Sequence, residues 1–170
     1  SVDHQYVARF REIGSAEGEH YVATDWIYGM DVARLIAANR AQGTTVPMPI
    51  ALTIICHAAR SIAGVHAGGL MHLGFAPRHV ILTPAGDVVT TDVGIFSALL
   101  SELSPRECAL AERAAYVAPE QWRRLSSTLA SDVWALAALC IELVSGQPAA
   151  GASPEAAEAN IISGNLARAV

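Results

Sequence analysis

Hydrophobic and polar positions change their period several times along the chain. Over residues 4–13 apolar side chains fall at alternate places, at Tyr6, Ala8 and Phe10, and Tyr21-Val22-Ala23-Thr24 forms a second short run. Residues 14–18 carry turn chemistry between them, so the spacing predicts a β-hairpin. Residues 31–40 predict a short helix, with Val32, Leu35 and Ile36 on one side and Arg34 and Asn39 on the other. Residues 49–67 give the clearest amphipathic helix. Leu52, Ile55, Ala59, Ile62 and His66 recur at three- and four-residue steps, and Thr53, His57, Arg60 and Ser61 form the opposite face. Gly68-Gly69 suits its end. In residues 70–94 the period shortens again. Val80-Ile81-Leu82 and Val88-Val89 flank Thr83-Pro84-Ala85-Gly86-Asp87, with Pro at the second turn position and Gly at the last. This predicts a second hairpin with an irregular loop on each side. Residues 130–144 are apolar nearly all round, the pattern of a buried helix, with Ser131 or Asp132 able to cap it. Ser153-Pro154-Glu155 opens a last helix that ends near Gly164.

Composition sharpens this in a few respects. The chain has 170 residues, 52% hydrophobic and 16% charged, with a net charge of -5. That is one domain, long enough to bury a proper core. The mildly acidic balance, without a basic stripe, argues against nucleic acid as a partner. The low charged fraction implies either that much of the chain is buried or that some apolar surface waits for a partner. Cys56, Cys108 and Cys140 stand alone, without CxxC spacing, and read as small core side chains in a reducing compartment. The longest apolar-rich run, residues 50–74, is interrupted by His57, Arg60, Ser61 and His66, so no membrane span and no secretory signal is expected, which places the protein in the cytoplasm. His66, His72 and His79 straddle a helix end and a loop, with no acidic or cysteine ligand beside them at a metal-binding spacing.

The stretch 70–94, together with residues 118–134, resembles the catalytic core of protein kinases, which carries H-R-D-L-x-x-x-N, a hairpin, D-F-G and then A-P-E. His72 stands at the family's His, Asp92-Val93-Gly94 at D-F-G and Ala118-Pro119-Glu120 at A-P-E, with Ser131-Asp132-Val133-Trp134 opening the family's buried helix. The resemblance implies an α+β, protein kinase-like fold: mainly the helical large lobe, with a remnant two-stranded small-lobe hairpin. It implies a single truncated kinase-like domain over 1–170, with small-lobe strands and hinge in 1–28 and a partial large lobe in 29–170. No Gly-rich phosphate loop appears, and no lysine precedes the hinge. Two helices expected of a large lobe are missing at the other end.

The departures fall on the chemistry. The family's catalytic Asp falls on Gly74, its Arg on Leu73, the following Lys on Ala76 and the metal-binding Asn on His79. By resemblance, Thr24, Asp25 and Ile27 line the nucleotide side of the hinge, and Asp92 is the one acidic group left to hold a metal against phosphates. His72, Gly94, Glu120 and Asp132 stand at structural positions. Asp132 is expected to fix the loop backbone. Glu120 lacks the arginine it pairs with in the family, which leaves Arg123, Arg124, a partner's arginine or solvent. The expected function is that of a bacterial pseudokinase, not an enzyme: a protein-interaction or scaffolding module in signalling, with no resident cofactor, working as a homodimer or with protein partners. The alternative is a nucleotide-binding switch or kinase-fold enzyme that uses ATP and Mg²⁺ at an altered site through Asp92.

Overall fold

A computed structural model describes residues 4–96, 114–151 and 153–166. Cys108 and most of the segment between D-F-G and A-P-E lie outside them. The first hairpin pairs β1 (Phe10–Ala16) with β2 (Glu19–Thr24), antiparallel. It begins later than the alternation suggests, and its turn is only Glu17-Gly18, both at positive φ (54° and 85°). A two-residue turn of that hand matches the twist of the strands, so Gly14, Ser15 and Ala16 stay in the ladder. Residues 6–8 run instead beside the second sheet. Ala8 N–H donates to Thr90 O and Thr90 N–H to Tyr6 O, both at 2.8 Å.

That second sheet has the order β3-β4-β5: β3 (Met30–Asp31), β4 (Val80–Leu82) and β5 (Val88–Thr90). The turn between β4 and β5 follows its sequence chemistry, with Gly86 N–H on Thr83 O at 3.0 Å. The pairing of β3 with β4 escapes sequence reading because β3 is two residues long. Asp31 ends β3 and caps α1 (Val32–Ala41), accepting the N–H of Arg34 at 2.8 Å.

The second helix, α2 (Met48–Ala67), packs on β5 and on the long helix at Leu129–Ser145. Its buried stripe is Ala51, Ile54, Ala58, Ser61, Ile62 and Val65, one step round from the expected face. Leu52 faces solvent, and Ser61, read as polar surface, is fully buried with its hydroxyl on Thr90 Oγ1. By length and hydropathy alone α2 is long and apolar enough to cross a membrane. Its packing against β5 and the long helix is that of a core helix.

A short helix, α3 (Pro119–Trp122), leads to that long helix, α4 (Leu129–Ser145), and then to α5 (Pro154–Ser163). Thr128, not Ser131 or Asp132, caps α4; its side chain accepts from Ala130 N–H, and Ser131 Oγ accepts from Thr128 N–H. This frees Asp132 for another role. Leu139 and Leu143 are completely buried on α4 and each contributes about 2 kcal/mol by burial. Val133 and Val144 are exposed, so α4 is not buried all round. Cys56 is exposed and Cys140 half-buried, so neither is the small core side chain expected.

Candidate functional site

The site is built by α4 reaching across to the loop before β4. Asp132, 1% exposed, accepts the His72 N–H on Oδ2 at 2.9 Å and the Leu73 N–H on Oδ1 at 2.7 Å. His66, at the end of α2, places Nε2 2.8 Å from the same Oδ2. Leu73 sits at φ 57°, a left-handed conformation that costs a leucine roughly 1–2 kcal/mol. Both its backbone groups are clamped: the N–H by Asp132, and the carbonyl by Gln121 Nε2 at 3.2 Å. Gln121 also accepts the Ala118 N–H, tying α3 to the loop. Sequence reading missed Gln121, because nothing in its spacing marks it.

His72 is fully buried. Its Nε2–H donates to Thr91 O at 3.0 Å, and its ring meets Phe75 edge-on at 5.6 Å between centroids. Burial, with the neighbouring His79 adding to it, lowers its pKa from 6.5 to about 4, so the ring is neutral at pH 7. Nδ1 has no partner among the described residues, which suits an unprotonated nitrogen.

At the chemical positions the geometry is particular. A Cβ added to Gly74 would run into the Phe96 ring, well inside van der Waals contact with Cδ2, Cγ and Cε2. The ring occupies the space any side chain at 74 needs. Ala76 is buried and brings no cation. His79, in a 3-10 turn over Pro77–His79, is 5% exposed, and its Nε2 lies 3.5 Å from Asp92 Oδ2. Asp92 stands at φ 63° with its side chain 39% exposed, followed by Gly94 at φ 81°.

The hinge residues divide between two cavities. Thr24 lines one of about 230 Å³ with Leu70, Val93 and Ile95. Asp25 and Ile27 line another, of about 420 Å³, with Val89, and Asp92 lines neither. The Asp25 carboxylate is paired with Arg11. Of these two cavities, one takes Thr24 and the other Asp25 and Ile27. Glu120 accepts from the Ser131 hydroxyl, a partner outside the four alternatives expected for it.

An ATP–Mg²⁺ pair is what the resemblance implies here, and the donors can be tested against it. Mg²⁺ takes oxygen ligands in near-octahedral geometry. The atoms facing each other are one carboxylate, Asp92, and one imidazole nitrogen, His79, a donor that suits zinc, copper or iron. Among the described residues no group of three or more His, Cys, Asp or Glu side chains is placed to hold a metal. The set does not fit Mg²⁺.

A hairpin followed by a helical body, with a loop locked from a buried helix and a D-x-G turn after the second hairpin, is the architecture of a protein kinase. The chain belongs to the protein tyrosine and serine/threonine kinase family, whose model matches residues 1–169. It is 28% identical to serine/threonine-protein kinase PrkC of Bacillus subtilis over 86% of this chain and 22% of that protein. It is 25% identical to the probable serine/threonine-protein kinase PknB of Lactococcus lactis, over 86% of this chain and 23% of that protein. Identity to the serine/threonine-protein kinase drp72 of Corynebacterium efficiens is 30%, over 81% of this chain and 26% of that protein. The chain thus spans about a quarter or less of these relatives. This corrects one expectation from sequence: the family and its named kinases point to an enzyme, against the reading that the chain is not one.

Proposed function

We propose that this chain is a signalling module of bacterial serine/threonine-kinase type that works through protein contacts around an altered phosphoryl-transfer site. One observation carries the reading: the Phe96 ring fills the place of a side chain at Gly74, where the family's base stands. The scaffold around it is kept. Asp132, Gln121 and His72 still fix the loop, although its reagents have changed. Catalysis of phosphoryl transfer is mostly positioning and charge stabilisation, and losing one preorganised group costs on the order of 10²–10³ in rate. Exposed Trp26 (89%) and Tyr28 (76%) support contact with a partner or a second copy.

A second reading, a kinase-fold enzyme with an altered site, is favoured by Asp92, half-exposed beside His79. Thermal-shift titration with ATP and either Mg²⁺ or Mn²⁺, run beside Asp92→Ala and beside an assay of phosphate transfer from ATP, separates the two. The module reading expects at most a weak shift and slow transfer at millimolar ATP, neither of them dependent on Asp92. A shift and transfer that both vanish in Asp92→Ala would replace it with the second reading. A ligand at 100 times its Kd stabilises by about 2.7 kcal/mol, which such a titration resolves easily.

A further inference from the structure

The link between α3 and α4 lies apart from the site already described. From Gln121 to Ser131 the chain carries two arginines, Arg123 and Arg124, and no acid, in a protein whose net charge is -5. Both arginines are exposed, and residues 125–128 after them are neither helix nor strand. Arg124 stands at φ 56°, the left-handed place after a helix where glycine is usual, and its N–H goes to Gln121 O at 3.1 Å. Glycine would serve that turn better, so the charge is what the arginine adds. Backbone outliers of this kind point toward function. Four hydroxyl side chains follow, up to Ser131. Thr128 Oγ1 accepts from Ala130 N–H as the cap of α4, and Ser131 donates to Glu120. Ser127 is half-buried. Ser126 is exposed, two residues beyond Arg124 and three beyond Arg123.

An enzyme that modifies a serine draws a short segment into its cleft, and a segment outside helix and sheet opens most readily. Two guanidinium groups just ahead of the hydroxyl match a groove lined by carboxylates. That complementarity selects Ser126 among the serines of an acidic chain. We propose that Ser126 is a phosphate acceptor for a separate serine/threonine kinase with an acidic substrate groove. Ser126 Oγ attacks the γ-phosphorus of a nucleoside triphosphate. The Oγ–P bond forms and the bond from that phosphorus to the bridging oxygen breaks. The nucleoside diphosphate leaves with the electron pair, and the hydroxyl proton passes to the base of the modifying kinase. The product is a phosphate group that follows two guanidinium groups in the chain. Arg123 gives one N–H to Ile162 O of α5 at 3.0 Å, so the phosphate competes with α5 for it. The link also joins the two elements that hold Leu73, α3 through Gln121 and α4 through Asp132. The new charge therefore falls between the two clamps along the chain.

The test is incubation of the folded full chain with ATP, Mg²⁺ and the catalytic subunit of cyclic-AMP-dependent protein kinase, a probe that selects arginines ahead of serine. Tandem mass spectrometry is expected to place phosphate at Ser126, with the signal lost in Ser126→Ala. Arg123→Ala and Arg124→Gly should each slow incorporation by about tenfold. Arg60→Ala, at an exposed arginine on α2, should leave the rate unchanged. Arg124→Gly suits the left-handed turn, so it removes the charge and keeps the fold, and it decides the matter should Arg123→Ala fail to fold. The proposal is overturned if the native chain takes no phosphate at Ser126, if Arg124→Gly is modified as fast as the parent, or if Arg60→Ala slows as much as the two loop variants.

Discussion

Asp132 holds Leu73 in a backbone conformation that leucine rarely adopts, through one hydrogen bond of 2.7 Å from the Leu73 N–H to Oδ1. Its other oxygen takes the neighbouring His72 N–H and faces His66. Replacing Asp132 with Ala leaves two buried donors unmet and releases the strained residue. Unmet buried donors cost about 1–3 kcal/mol each, so Asp132→Ala should lose about 3 kcal/mol or more, read as a fall in the urea midpoint at unchanged slope. Asp132→Asn, which keeps one acceptor oxygen, should lose less. Equal stability of Asp132→Ala and the parent would show that the clamp is not what shapes the loop.

Stability should depend on pH through His72. Its native pKa of about 4 lies below the ordinary 6.5, so the unfolded chain binds the proton first as pH falls. The contribution of the neutral buried ring is complete above about 6.5 and is lost progressively down to about 4, to a total of about 3 kcal/mol at 1.36 kcal/mol per unit. Denaturation at pH 7 and pH 4.5 should therefore show a steeper loss in the parent than in His72→Asn. Parallel loss in the two proteins would assign the acid sensitivity elsewhere.

Gly74→Asp restores the residue type that the family carries at this place, but the Phe96 ring stands where the new Cβ must go. Overpacking of this kind costs about 1–3 kcal/mol. The double variant Gly74→Asp/Phe96→Ala removes the clash, so the two substitutions should be strongly non-additive in a double-mutant cycle. Simple additivity would mean that the ring moves aside at no cost.

Tyr116 donates its hydroxyl to buried Glu142, and burial beside that carboxylate raises the phenol well above its ordinary pKa of 10. The native state keeps this proton when the unfolded state loses it, so the contribution is present below pH 10 and is lost as pH climbs further. Alkaline absorbance titration should show a late phase that coincides with unfolding and is missing in Tyr116→Phe. That variant should also be less stable at pH 7, by about 1–3 kcal/mol for the hydrogen bond lost to a charged group.

Much of the scaffold was legible in the sequence because it rests on local signals. Pro84 and Gly86 fixed one turn, Gly68 the end of α2, and Ser153-Pro154 the start of α5. The errors came where a tertiary partner decides. Ser61 looks like surface until Thr90 is found against it, and Asp132 looks like a cap until Thr128 takes that role. At the site, the motif order located His72, Asp92 and Asp132, but Gln121 on the Leu73 carbonyl and Phe96 over Gly74 carry no pattern of spacing. Each depends on which loops meet in space, and periodicity along one chain does not encode that.

Thr90 is where three parts of the molecule are riveted together. Its backbone is bonded to residues 6 and 8, which lead directly into the first hairpin, its hydroxyl touches Ser61 on α2, and two residues further on the chain reaches Asp92. The approach to the hairpin is thus pinned to the end of the strand two residues before Asp92, as a lever is to its fulcrum.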